Sequence, residues 1–225
     1  MTKRICSNIV RSLPEELLSK ILMHTASNSV TDFVNVQLSC KAFHEASNHN
    51  YIYRDVSMKN VGLRSWSRNE RKFQKRCEAA NNPEALYILG MFDYLSGMDS
   101  ESGLRCLKKV AEKGHTEAVY AYGIILICFG GDLREQGLRI AKTLDLSSFN
   151  RINLRDVRVK IKEILHIMWK TKNIKLAAPE RIDCRCDKNC PRTSGEQRWE
   201  PSHNFCTCYD SCFWYHEATL FCGFL

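Results

Sequence analysis

The sequence predicts an all-α protein: a three-helix N-terminal unit, then a short stack of helical hairpins, then an irregular cysteine-rich tail. Three observations carry this expectation. Apolar residues recur at helical spacing through residues 1–60 and again through most of residues 77–176. A block of small and aromatic residues repeats about one helical hairpin apart. No segment sustains period-two alternation over six or more residues, so a sheet is not the organising element.

Composition bounds the rest. Hydrophobic residues make up 44% and charged residues 26% of the 225, which is ordinary globular usage and argues against wholesale disorder. No apolar run approaches the roughly 20 residues that cross a bilayer, the best being Ile124 to Phe129. Lys3 and Arg4 are followed by no apolar core, so no secretory signal is expected. Placement in the nucleus or cytoplasm follows as an expectation, and the twelve cysteines then sit in a reducing pool. The net charge of +8 concentrates in Lys59 to Arg76 and in Arg151 to Lys175. Such clusters are either solvated helix faces or docking sites for nucleic acid or acidic partners.

The chain divides into four zones: residues 1–60, a basic connector at 61–76, a helical region at 77–176 and a tail at 177–225. Ser12-Leu13-Pro14-Glu15 has the form of a capping box, in which Ser12 accepts from the Glu15 amide and Glu15 reaches back. Behind it Leu13, Leu17 and Ile21 fall at i, i+4 and i+8, with Leu18 and Leu22 beside them, giving a broad apolar stripe. Ser27-Asn28-Ser29 breaks the helix. Phe33, Val36 and Leu38, then Cys40, Phe43 and Ala46, continue the apolar positions, and Tyr51, Ile52 and Tyr53 close the unit. Three helices in so short a span bury little surface by themselves, so part of the stripe calls for a partner.

The string Leu13-Pro14-Glu15-Glu16-Leu17-Leu18-Ser19-Lys20-Ile21-Leu22, followed by Val36-Gln37-Leu38-Ser39-Cys40-Lys41-Ala42-Phe43, resembles the F-box. That motif runs Leu-Pro, two acidic residues, Leu-Leu, Ile-Leu, then hydrophobic-Cys-Lys-x-aromatic. Phe43 stands where Trp is usual and Ala42 where Arg is common. The resemblance implies that Leu13, Pro14, Leu17, Leu18, Ile21, Leu22, Leu38, Cys40 and Phe43 face the adaptor subunit of an SCF-type ubiquitin ligase, and through it a cullin.

Further on, Glu84-Ala85-Leu86-Tyr87-Ile88-Leu89-Gly90 aligns with Glu117-Ala118-Val119-Tyr120-Ala121-Tyr122-Gly123, and Gly103-Leu104-Arg105 aligns with Gly137-Leu138-Arg139. Small residues at fixed places let paired helices approach, while Leu and Tyr fill the groove between hairpins. The first copy, with Lys109-Val110-Ala111-Glu112-Lys113-Gly114, resembles a Sel-like repeat, a relative of the tetratricopeptide repeat. The second copy fades after Gly137, so the expected stack is short and capped by a helix around Val157 to Trp169. By this resemblance the region recognises a protein target.

In the tail, Cys184-x-Cys186-x-x-x-Cys190 recurs as Cys206, Cys208 and Cys212. With His203 and His216 these make two candidate sets of three thiolates and one imidazole, a donor set that suits structural zinc. Reduced thiols packed among Phe205, Phe213, Trp214 and Phe221 fit equally well, and disulfides fit less well. The string Cys212-Phe213-Trp214-Tyr215-His216-Glu217-Ala218 resembles the end of plant F-box proteins that carry Sel-like helices. The tail's basic residues are outnumbered by its acids, which makes it a poor phosphate clamp.

Cys40 and His44 lie one helical turn apart, as a nucleophile and base would, but Cys40 already has a place in the F-box pattern. Gly130-Gly131 lacks the Lys-Ser/Thr of a phosphate loop. The residues thus offer no catalytic constellation, and the F-box resemblance implies a non-catalytic receptor subunit of a ubiquitin ligase. Two other readings remain: a zinc-dependent nucleic-acid binder using the basic stretches, and a helical scaffold that does not engage the adaptor.

Overall fold

The computed structural model describes residue 10 and residues 12–58, 68–144, 151–168, 176–179 and 210–225. Among these are helices and turns, with no strand. They form two compact units, Met1–Leu86 and Tyr87–Leu225.

In the first unit, α1 (Glu15–Asn28), α2 (Val30–Ser39), α3 (Lys41–Ala46) and the one-turn α4 (Asn50–Arg54) follow closely, and α5 (Arg68–Ala79) joins them. The capping box is not what starts α1. The residue before the helix is Pro14, whose side chain has no oxygen to offer, and its carbonyl accepts from Leu17 and Leu18. The Glu15 carboxylate turns instead to His49 Nε2 at 2.7 Å. Glu15 and Glu16 in the first turn still favour the helix through its dipole. Ser29 ends α1 in extended backbone and starts α2 by accepting from the Asp32 amide at 3.2 Å.

Leu18, Leu22 and Ala26 of α1 point inward with Phe33, Phe43, Ala46, Ile52 and Tyr53. Phe33, Tyr53 and Phe73 form an aromatic trio, with centroids 5.6 Å apart for Phe33 and Tyr53 and 5.7 Å for Tyr53 and Phe73. Arg76 lies 4.0 Å over the Tyr53 ring and donates to the Asn48 carbonyl. The connector read at 61–76 is thus helical from Arg68 onward and helps close the unit. Beside it, burial pushes the Cys77 thiol up to about 12, which leaves it an apolar filler.

Asn82 ties the unit together. It is buried, its amide donates to the carbonyls of Tyr53 at 2.9 Å and Val56 at 2.8 Å, and its oxygen accepts from Ala85 at the start of α6 (Pro83–Ser96). We expect Asn82→Ala to cost about 2 kcal/mol, because two buried carbonyls and an amide lose their partner. Urea unfolding of the Asn82→Ala chain measures it, and a loss under about 0.5 kcal/mol would contradict this account.

In the second unit, α6 and α7 (Ser100–Ala111) form one antiparallel hairpin, and α8 (Thr116–Phe129) and α9 (Gly131–Ala141) form the next. α8 is the axis of the unit. Every residue from Glu117 to Ile127 is buried, so the helix is enclosed on all sides, as expected of an element with neighbours all round. The repeat seen in the sequence has a direct structural meaning. In the first hairpin Gly90 meets Gly103, and in the second Gly123 meets Gly137. Each glycine pair sits where two helix backbones touch.

Two further helices complete the unit: α10 (Arg151–Met168) and α11 (Asp210–Phe224), both packed on α8. The cap expected around Val157 to Trp169 corresponds to α10, with Trp169 outside the described residues. The end of the tail, read as irregular, is the helix α11. The helix-breaking Pro179, Pro191, Gly195 and Pro201 all precede it, and its apolar residues find a surface on α8. There Trp214 and Phe221 meet Tyr120 edge-on at 6.1 and 6.3 Å. No described helix is long and apolar enough to cross a membrane.

Candidate protein-interaction site

The first helix divides its stripe between two tasks. Leu18 and Leu22 are one turn apart and buried, at 6% and 0% exposure, and Phe43 is buried with them. Leu17 and Ile21, one position earlier on the same helix, remain exposed at 44% and 39%. Neighbouring positions on an α-helix point about 100° apart, so a wide stripe supplies an inward and an outward row. Leu38, at the end of α2, is exposed at 72%, and Pro14 is exposed as well. Leu13 and Cys40 are half-buried. Of the nine residues named for the adaptor, Leu13, Pro14, Leu17, Ile21, Leu38 and Cys40 therefore offer surface, while Leu18, Leu22 and Phe43 hold the unit's own core.

A third row of α1, Glu15 and Ser19, meets the segment from His49 to Tyr51. Glu15 meets His49, and the Tyr51 hydroxyl donates to Ser19 Oγ at 2.8 Å. His49 and Tyr51 stack with centroids 5.4 Å apart. Sequence reading grouped Tyr51 with the residues that close the unit, and Ile52 and Tyr53 do so. Tyr51 itself is 46% exposed and adds a polar-tipped ring to the apolar surface. Its alternation with buried neighbours in a single helical turn left no periodic signal to find.

The second unit holds a buried polar cluster. Arg158 of α10 and Glu217 of α11 are each about 1% exposed, and Arg158 Nε donates to Glu217 Oε1 at 2.7 Å. The Arg158 Nη2 group and the Tyr120 hydroxyl donate to the same carboxylate. Burial pulls the guanidinium down, and the charge and hydrogen bonds of Glu217 more than offset it, leaving Arg158 above its ordinary value. Sequence reading placed Arg158 on a solvated basic face. The partner that buries it lies 59 positions away. Nearby Glu117 is desolvated, yet Lys160 and His115 hold its carboxyl below the usual range. Among the candidate zinc ligands, Cys184, Cys186, Cys190, His203, Cys206 and Cys208 lie outside the described residues. Cys212 is buried and His216 half-buried, one turn apart on α11.

Comparison with known proteins agrees with this layout. Residues 10–59 match the F-box-like family, and residues 57–166 match the family of plant tetratricopeptide repeats. One F-box protein of Arabidopsis thaliana is 34% identical over 192 residues, which cover 83% of this chain and 65% of the relative. A second is 29% identical over 143 residues, covering 61% of this chain and 38% of the relative. A third is 30% identical over 122 residues, covering 54% of this chain and 75% of the relative. The chain thus spans less than two thirds of the first two relatives. No solved structure matches it. Fold and surface together define an all-helical protein with an F-box-like unit followed by helical repeats. The chain belongs to the F-box proteins of plants.

Proposed function

We propose that this chain is the substrate-recognition subunit of an SCF-type cullin ubiquitin ligase. In this reading the first unit binds the adaptor, and through it the cullin, while the repeats hold a protein target. The observation that carries the proposal is the outward row of α1. Leu17 and Ile21 stand exposed on a unit whose core is already closed by Leu18, Leu22, Phe33 and Phe43. Large apolar side chains kept in water beside a finished core mark a surface for another protein. An amphipathic helix face laid in a groove is a recurring way to use such a row. The chain supplies specificity by holding its target at high effective concentration near the ubiquitin-carrying enzyme, and it carries out no chemistry itself. It acts in the nucleus or cytoplasm, where that machinery works.

Purified adaptor tests the proposal in a pull-down with the intact chain and with a Leu17→Asp, Ile21→Asp chain. Both positions are exposed, so circular dichroism should show the variant still folded. We expect the intact chain to bind and the variant to fall below detection. Capture of neither form would remove the ligase role and leave a helical scaffold or a nucleic-acid binder, and equal capture of both would place the adaptor surface away from Leu17 and Ile21.

A further inference from the structure

We propose that Cys128 and Cys222 are a redox site, joined by a reversible disulfide that ties the last helix of the chain to the axis of the repeat unit. This goes beyond the ligase reading and does not depend on it.

Cys128 lies in the last turn of α8 and Cys222 in the last turn and a half of α11. Their sulfurs are 3.0 Å apart, in hydrogen-bond contact, and both side chains are only partly buried. A disulfide holds its sulfurs about 2.05 Å apart, so closure needs a shift of about 1 Å, within reach of a rotation about the side-chain bonds. The two residues are 94 positions apart in sequence. Only the packing of α11 against α8 brings them together.

The two thiols are not equivalent. Cys222 also reaches the Ala177 carbonyl at 3.6 Å, so a chain of hydrogen bonds runs from Cys128 through Cys222 to the backbone. The hydrogen bond from Cys128 lowers the pKa of Cys222 against the opposing effect of burial. The same contact, then burial, then the charge of Cys222 raise the pKa of Cys128. Cys222 is thus the more readily ionised thiol and the one that attacks first.

The chemistry balances with a small-molecule disulfide, such as oxidised glutathione, as oxidant. The Cys222 thiolate attacks one sulfur of the disulfide, whose S–S bond breaks, and one glutathione leaves as thiolate. Cys222 now carries no charge, which removes one cause that held Cys128 protonated. Cys128 gives up its proton to solvent and attacks the Cys222 sulfur. The bond to the second glutathione breaks, and that glutathione leaves as thiolate. In sum two protein thiols lose two electrons and two protons, and one glutathione disulfide becomes two thiols. The attack is intramolecular and already in contact, which favours ring closure over a persistent mixed disulfide.

Full-length chain, reduced and then equilibrated with oxidised glutathione, is alkylated and digested without reductant. We expect mass spectrometry to find the Cys128 peptide linked to the Cys222 peptide, less two hydrogens, and reductant to release both. The chain has twelve cysteines, so only this linked pair is diagnostic. In the same wild-type sample the thermal midpoint should rise by about 5–10 °C, because the bond closes a loop of about a hundred residues. Cys222→Ser should leave Cys128 alkylated throughout. Cys222 carrying glutathione while Cys128 is still a free thiol would overturn the proposal. So would Cys222 linked mainly to another cysteine, and so would a linked pair with no change in thermal midpoint.

Discussion

Replacing Glu217 by alanine should cost the second unit about 3–5 kcal/mol. The reason lies in what is left behind. Arg158 is about 1% exposed and cannot reach water, so without Glu217 its guanidinium is a buried charge with its main counter-ion gone. The Tyr120 hydroxyl loses its acceptor at the same time. For a unit of this size the loss corresponds to a fall of about 10 °C or more in thermal midpoint. Arg158→Ala should behave similarly, since it takes the paired charge away from the buried carboxylate. Changing both partners at once, Arg158→Met with Glu217→Leu, should recover the part of the loss that comes from the unpaired charge, while the Tyr120 hydroxyl still loses its Glu217 acceptor. An apolar pair of similar volume removes both desolvation costs, and a buried ion pair gains little net stability over such a replacement. Arg105→Ala supplies the contrast. Arg105 and Glu101 form an ion pair on the surface, where truncation should change stability by less than about 0.5 kcal/mol. Denaturant unfolding of the four variants decides the matter. A Glu217→Ala chain within about 1 kcal/mol of the parent would show that the cluster does not hold the unit together.

The glycines at the hairpin crossings should be nearly as sensitive. A methyl group on Gly103 would stand 2.8 Å from the Gly90 carbonyl oxygen and 2.9 Å from the Tyr94 α-carbon. On Gly137 it would stand 2.6 Å from the Gly123 carbonyl oxygen and 2.8 Å from the Ile127 nitrogen. These are backbone atoms and cannot swing aside, so the helices must separate. Alanine gains about 1 kcal/mol over glycine in a helix interior, and the forced separation outweighs that gain. We expect Gly103→Ala and Gly137→Ala each to destabilise by about 2–3 kcal/mol. Gly223 offers the opposite case, with no atom of another described element within 4 Å of the added methyl, so Gly223→Ala should be neutral or slightly stabilising. Thermal melts of the three variants test this directly. If all three melt alike, the close approach of the hairpins is not what selects glycine.

The repeat was legible because its cause is local and recurs. The same crossing is built twice, so the same small residue is required twice, at Gly90 and Gly103 and again at Gly123 and Gly137. The first unit was legible for a related reason: Leu13-Pro14, the acidic pair and the leucine rows lie at the start of one helix and along it. Local chemistry still misled at its start. Ser12 and Glu15 have the right spacing for a capping box, but Pro14 occupies the position before the helix and Glu15 has His49 as a partner.

What the sequence by itself determined is the helical class, the order of the two helical units, the apolar stripe of α1 and the glycine contacts of the hairpins. All follow from spacings of one helical turn or from exact recurrence, which a linear string displays. The tertiary structure alone decided which row of the stripe faces water, that α11 completes the repeat unit, and that Arg158 is a core residue. Leu17 and Leu18 are chemically alike, and only the helices packed beneath Leu18 separate them. Arg158 and Glu217 are ordinary charged residues in the string, and burial becomes tolerable only when each meets the other across 59 positions. Cys128 and Cys222 become a pair in the same way, through the docking of α11 on α8. Long-range contacts of this kind depend on the fold as a whole and leave no periodic trace in the residues that make them.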